Sequence, residues 1–245
     1  MTTILAIETS TQKASVALVR DEALLCQKES GVNAHSEVLL ALVDECLRAG
    51  DIALGDLDTI AVGAGPGSFT GLRIGMATVK GLCFASGVSL TPVSSLAALA
   101  FDCMGECDQD AIIASVLDAR RKEIFLGLFA KDENGLRSLG EELVLPPAAL
   151  SARLPEMLRN SDIDTVLREI VLCGDGANKY ADVLQGIGTH LPKVQQTPRA
   201  EAVARLAQRL SPIDVLASAK PTYVRLPEAE LKFPDGNTGG TFSAR

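Results

Sequence analysis

The sequence predicts an α/β fold made of two copies of one unit, set side by side with a cleft between them. Three observations predict it. Elements follow the order strand–strand–strand–helix–strand–helix, and then that order begins again. The landmarks keep near-constant register, Asp118 lying 110 residues after Glu8 and Gly174 lying 111 after Gly63. Short apolar runs also alternate with helical patterns in each copy, which makes mixed sheets covered by helices.

In the first copy TILAIETS is a short strand ending in an acid and hydroxyls, and ASVALVR and ALLCQKES are two more strands. Residues 36–49, SEVLLALVDECLRA, have a helical pattern closed by Gly50. TIAVGAG is a buried strand, and the glycine-rich turn after it opens a helix from about Thr70 to Ser86. In the second copy AIIASVLDA, EIFLGLFA and GLRSLGEELVL are the three strands and PAALSARLPEML is the helix. IVLCGDG is the buried strand and ANKYADVLQGI its helix. One further helix, AEAVARLAQRL, and the run KPTYVRLPEAELK follow. The expected organisation is a first lobe over 1–105, a second, reduced lobe over 106–232 and a flexible tail over 233–245.

At 47% hydrophobic and 22% charged residues, the 245-residue chain has the composition of a globular protein with real cores. No apolar run reaches the roughly 18–20 residues that cross a bilayer, and the N-terminus has no basic stretch ahead of its apolar run. A cytoplasmic protein is expected. The six cysteines lie mostly in apolar runs, and the Cys103–Cys107 spacing has no second pair or nearby histidine to complete a zinc site. A net charge of −8 argues against unaided tight binding to nucleic acid. The basic run Arg120–Arg121–Lys122, at a turn between two strands, is the cluster that stands out.

The duplicated plan resembles the actin-like ATPase (ribonuclease H-like) superfamily. Within it, ILAIETST, NAHSEVLL, GPGSFTGLRIGMATVKGL, LDARRKEIFLGLF and PTYVR together resemble the TsaB (YeaZ) family. The resemblance covers nearly the whole chain up to the tail. It implies an accessory, non-catalytic subunit for synthesis of N6-threonylcarbamoyladenosine at position 37 of tRNA. The implied partners are the catalytic relative TsaD, the ATPase TsaE and, for the isolated protein, a second copy of itself. tRNA would be met only through the complex. The resemblance implies no cofactor of the chain's own; ATP or ADP is expected only at the level of the complex.

The resemblance also locates the expected difference from TsaD. That relative follows its helix and strand with an N-H-x-x-A-H segment whose two histidines ligate the catalytic metal. Here the matching run is PVSSLAAL, with Ser95 and Leu99 at those positions. The chain's two histidines, His35 and His190, sit one in each copy. No metal site and no catalytic residue are therefore assigned.

Glu8 is either an acid that organises metal and phosphate or a strand-end carboxylate capped by nearby amides. Gly65, Gly67, Ser68, Thr70 and Gly71 are either a phosphate cradle or a tight turn that requires glycine. The helix behind them favours docking. Gly71 and Gly75 recur at four residues, as do Ala77, Gly81 and Ala85, so it has two smooth sides, one for its own sheet and one for a partner. Leu40, Leu47, Met76 and Val79 are placed nearest the partner face, with Arg73 and Lys80 at the rim and His35, Glu37, Gly71 and Gly75 within it. The rival functions are a small kinase or ATPase using the glycine loop and a glycoprotease-type peptidase.

Overall fold

The computed structural model describes residues 1–31, 35–132, 135–161, 168–192 and 195–213, with the backbone alone at 35–37 and 132. Each copy of the unit forms its own sheet. The first contains β1 (Thr3–Glu8), β2 (Ser15–Arg20), β3 (Ala23–Glu29), β4 (Thr59–Gly63) and β5 (Ser89–Val93) in the order β3-β2-β1-β4-β5. β1 runs antiparallel to β2 and parallel to β4, with Leu5 opposite both Leu18 and Ile60.

The second sheet contains β6 (Ile112–Arg120), β7 (Glu123–Asp132), β8 (Gly135–Ser138), β9 (Leu143–Leu145), β10 (Ile170–Cys173) and β11 (Thr189–His190). Its order is β11-β10-β6-β7-β8, with β9 also on β7. β6 takes the place of β1, antiparallel to β7 and parallel to β10. The same wiring in two successive sheets is the duplicated α/β topology of the actin-like fold.

Helices cover both faces of both sheets, which is why the strands read as continuous apolar runs. α1 (His35–Gly50) and α2 (Phe69–Ser86) lie on the outer face of the first sheet, where Leu5, Ile7, Val16, Leu18, Ile60 and Val62 meet Leu39, Val43, Cys46, Met76, Val79 and Cys83. The intervening residues Ile4, Ala6, Ala17 and Val19 point inward to α6 (Ala200–Ala207). α3 (Ser95–Cys103) lies beside α6 and packs Leu96, Leu99 and Cys103 on Ile113, Leu117, Phe125 and Phe129 of the second sheet. α4 (Leu150–Arg159) and α5 (Asp175–Lys179) cover that sheet's other face. Arg199 locks the middle layer, donating through Nη2 (2.6 Å) and Nε (3.1 Å) to the buried Asp102.

Two expected elements are corrected. GLRSLGEELVL is not one strand: it is interrupted over 139–142, where Gly140 takes φ 155° and the register on β7 slips, so that β8 and β9 pair with β7 separately, both antiparallel. ANKYADVLQGI does not continue as a helix. α5 ends at Lys179, and turns running to Gly186 (φ 81°) carry Leu184 and Ile187 into the core instead. α6, late in the chain, packs on the first sheet, its first amide donating to Ser15 Oγ at 2.9 Å. The run from Lys220 to Lys232 and the tail lie outside the described residues, as do the side chains of His35 and Glu37.

Candidate functional site

Alternation along β1 turns Glu8 inward with Ile4 and Ala6, toward the start of α3. Its carboxylate is buried. Oε1 accepts the Ser10 amide at 2.5 Å and Oε2 accepts the Ser95 hydroxyl at 2.8 Å. Burial pushes the carboxyl above its ordinary range, and the hydrogen bonds from Ser10 and Ser95 oppose that shift. Gly63 borders the same pocket, where a Cβ would overlap Glu8 Oε2. A second carboxylate reaches α3 from the other sheet's side. Glu142, between β8 and β9, accepts from the hydroxyl of Ser94, which itself caps α3 by accepting the Ala97 amide at 3.0 Å. Burial raises the Glu142 carboxyl too.

Ser95 and Leu99, where the resemblance implies that TsaD has metal-binding histidines, are both buried. Ser95 is committed to Glu8, and Leu99 packs among Leu96, Ile113 and Phe125 and against Gly174, just after β10. A carboxylate, a hydroxyl and an isobutyl group are not the donor set of a Lewis-acid metal, so these residues do not fit that ion. Among the described residues no group of three or more His, Cys, Asp or Glu side chains is placed to hold a metal ion. All six cysteines are free, and burial raises the Cys83 and Cys107 thiols to about 11, keeping them protonated at neutral pH.

The glycine loop closes onto the chain's own β1–β2 turn. Ser68 N donates to Ser10 O at 2.6 Å, Ser95 N donates to Gly65 O at 2.8 Å, and Thr9 Oγ1 donates to Gly71 O at 2.8 Å. A Cβ at Gly67 would lie 2.4 Å from Ser10 O, and one at Gly71 2.1 Å from Thr9 O. Close approach of two backbone segments is thus what requires glycine here. Ser68 caps α2 by accepting the Gly71 amide at 3.3 Å, while Thr70 is exposed.

The faces of α2 then follow from its period. Gly71, Leu72, Gly75, Met76, Val79 and Cys83 form the buried side, with Gly75 against Thr9. Met76 is 5% exposed and Val79 fully buried, so the expectation that they lie nearest a partner face is corrected: they share the sheet side with the packing glycine Gly75. The outward side carries Phe69, Arg73, Ala77, Gly81, Phe84 and Ala85. Phe84 is 79% exposed, and the Arg73 guanidinium stacks 3.8 Å from the Phe69 ring centroid. Lys80 is half-buried at the border. On α1, Leu40 is 62% exposed, whereas Leu47 is half-buried on the core. Each of these helices returns the chain between parallel strands, so they run in the same direction and their N-terminal halves put Leu40 at the end that holds Phe69 and Arg73. Phe69 and Phe84 are the residues sequence reasoning missed; their spacing from Arg73, Ala77 and Gly81 was the available signal.

The fold and this site define an actin-like, duplicated α/β protein whose strand-end acid is tied to a serine and whose glycine loop is closed on itself. Comparison with known proteins is specific. The family model for TsaD, tRNA N6-adenosine threonylcarbamoyltransferase, matches residues 24–232. The tRNA threonylcarbamoyladenosine biosynthesis protein TsaB of Bacillus subtilis (strain 168) is 31% identical over 236 residues, covering 94% of this chain and 97% of that protein. Its counterpart in Escherichia coli (strain K12) is 29% identical over 236 residues, covering 94% and 98%. YeaZ from Pseudomonas aeruginosa superposes with a TM-score of 0.77 at 31% identity, covering 91% of this chain and all of that one. The chain belongs to the TsaB (YeaZ) family.

Proposed function

We propose that this chain is the accessory subunit of tRNA N6-threonylcarbamoyladenosine synthesis, pairing with TsaD through the outward faces of α1 and α2 and engaging the ATPase TsaE in the assembled complex. Family membership supports the process, since the relatives are named for tRNA threonylcarbamoyladenosine biosynthesis. The observation that carries the role is the exposed side of α2. Ala77, Gly81 and Ala85 let another backbone approach closely, and Phe84 and Phe69 supply apolar area at its ends. Glu8, Ser95 and Leu99 support a non-catalytic assignment, because the carboxylate is spent on an internal hydrogen bond and the remaining positions offer no metal donors. The work of this subunit is to hold TsaD in its active arrangement, with any nucleotide bound by the complex. In isolation the same surface would pair two copies of the chain. Association tests the reading: purified chain and TsaD should co-elute, and Ala77→Glu with Phe84→Glu should separate them while the chain stays folded.

A further inference from the structure

The β6–β7 hairpin has turn chemistry that its sequence does not favour. Arg120 faces Glu123 across the hairpin, leaving Arg121 and Lys122 as a two-residue loop. Such loops take positive φ at both positions and favour Asn-Gly. Here Arg120, Arg121 and Lys122 all have positive φ, at 62°, 52° and 62°. Among the described residues the other non-glycine positions with positive φ are Asp21 and Asp51, a residue type that tolerates this region. Three consecutive long cationic residues held there are strained, and strain of this kind gathers where a side chain has a task.

The three side chains are exposed, and a fourth cation joins them from α5. Asp118, nearly buried beneath the hairpin, holds the group together: its Oδ2 lies 2.8 Å from Lys179 Nζ and 3.4 Å from Arg120 Nη1, and its Oδ1 accepts the Arg120 amide at 3.0 Å. Glu123 and Asp175 are the other acids close by, and burial raises the Asp175 carboxyl. Within the hairpin Ala119 is the one apolar side chain and it is buried, and the aromatic ring beside the patch, Tyr180, 5.3 Å from Lys179 Nζ, is half-buried on the second sheet's core. Exposed cations without an apolar centre suit phosphate contacts, whereas protein interfaces depend on buried aromatic or aliphatic anchors.

We propose that Arg120, Arg121, Lys122 and Lys179 form a contact surface for the phosphate backbone of RNA, used when the assembled complex holds tRNA. The inference rests on the function proposed above. Because the whole chain carries a net charge of −8, the patch contributes to RNA affinity within a complex and does not suffice alone.

The experiment compares the wild-type complex with TsaD and two double variants, using an unmodified tRNA transcript as probe. Arg121→Asn with Lys122→Gly should raise the melting temperature by about 2–4 °C, because it relieves the turn. It should also weaken tRNA binding roughly tenfold near 0.1 M salt and reduce the slope of log affinity against log salt by about two. Arg121→Gln with Lys122→Gln should show the same binding loss without the thermal gain. Association with TsaD should be unchanged in both. Unchanged tRNA affinity in the two variants would overturn the inference and leave the proposed function standing, whereas loss of TsaD association would overturn the inference and also the pairing through α1 and α2. The same melting temperature for Asn-Gly as for Arg-Lys would overturn the argument from strain. Failure of the wild-type chain to associate with TsaD would overturn both proposals.

Discussion

Replacing Gly71 by alanine puts a Cβ 2.1 Å from Thr9 O, a backbone atom of the buried β1–β2 turn that no side-chain rotation can move. Ordinary contact needs more than an extra ångström, so α2 or the turn must shift. That places the cost at the upper end of overpacking, about 3 kcal/mol. Alanine returns about 1 kcal/mol in helix propensity, leaving a net loss of about 2 kcal/mol and a melting temperature lower by about 4–8 °C. At Gly75 the Cβ would meet Thr9 Oγ1 at 2.2 Å, a side-chain atom already donating to Gly71 O, and the loss should be smaller. At Gly81 nothing lies within 4 Å, so Gly81→Ala should gain about 1 kcal/mol and raise the melting temperature by about 2–4 °C. Thermal and urea unfolding of the three single variants reads all of this. A Gly71→Ala protein as stable as Gly81→Ala would refute the division of α2 into a sheet side and an outward side.

Two further outcomes follow from buried groups. Glu8 has a raised folded-state pKa, so its favourable contribution is present below the unfolded value of 4.5 and is lost as pH rises through the folded value. Glu8→Gln should therefore gain stability over the wild type steadily as pH rises from about 4.5, measured by urea unfolding; a difference independent of pH would contradict the assignment. Met76→Ala should cost about 2–5 kcal/mol because the side chain belongs to the first sheet's core, and a loss under about 0.5 kcal/mol would return Met76 to the surface.

The duplication was legible because it is written in long-range order: six elements recur with the same spacing, and both sheets then share one topology. The split of GLRSLGEELVL and the early end of α5 were not, because the residues beyond each break, Leu143 and Leu145 in one case and Leu184 and Ile187 in the other, still reach the second sheet's core and so keep the apolar pattern of a continuous element. In α2 the two small-residue tracks showed that two faces exist. Placing Met76 and Val79 failed because small residues mark both a close contact and a bare surface, and only the position of Thr9 tells them apart. Ser95 could be read as a missing histidine, yet its bond to Glu8 joins residues 87 apart in sequence and no local pattern announces it. The Glu142–Ser94 contact was likewise invisible, since it joins the β8–β9 connection to the cap of α3.

Formation of threonylcarbamoyladenosine by TsaD and TsaE, with this chain or its Ala77→Glu, Phe84→Glu double variant supplied, tests the central claim most directly. Ala77 and Phe84 lie outside the core, so the variant should keep the wild-type melting temperature to within a degree or two. Two carboxylates facing an apolar partner surface would be desolvated without counter-charge, so association should fall by several orders of magnitude. The account predicts full modification with the wild-type chain and near-background modification with the folded variant. Undiminished modification by the variant, or equal modification with no chain supplied at all, would contradict it.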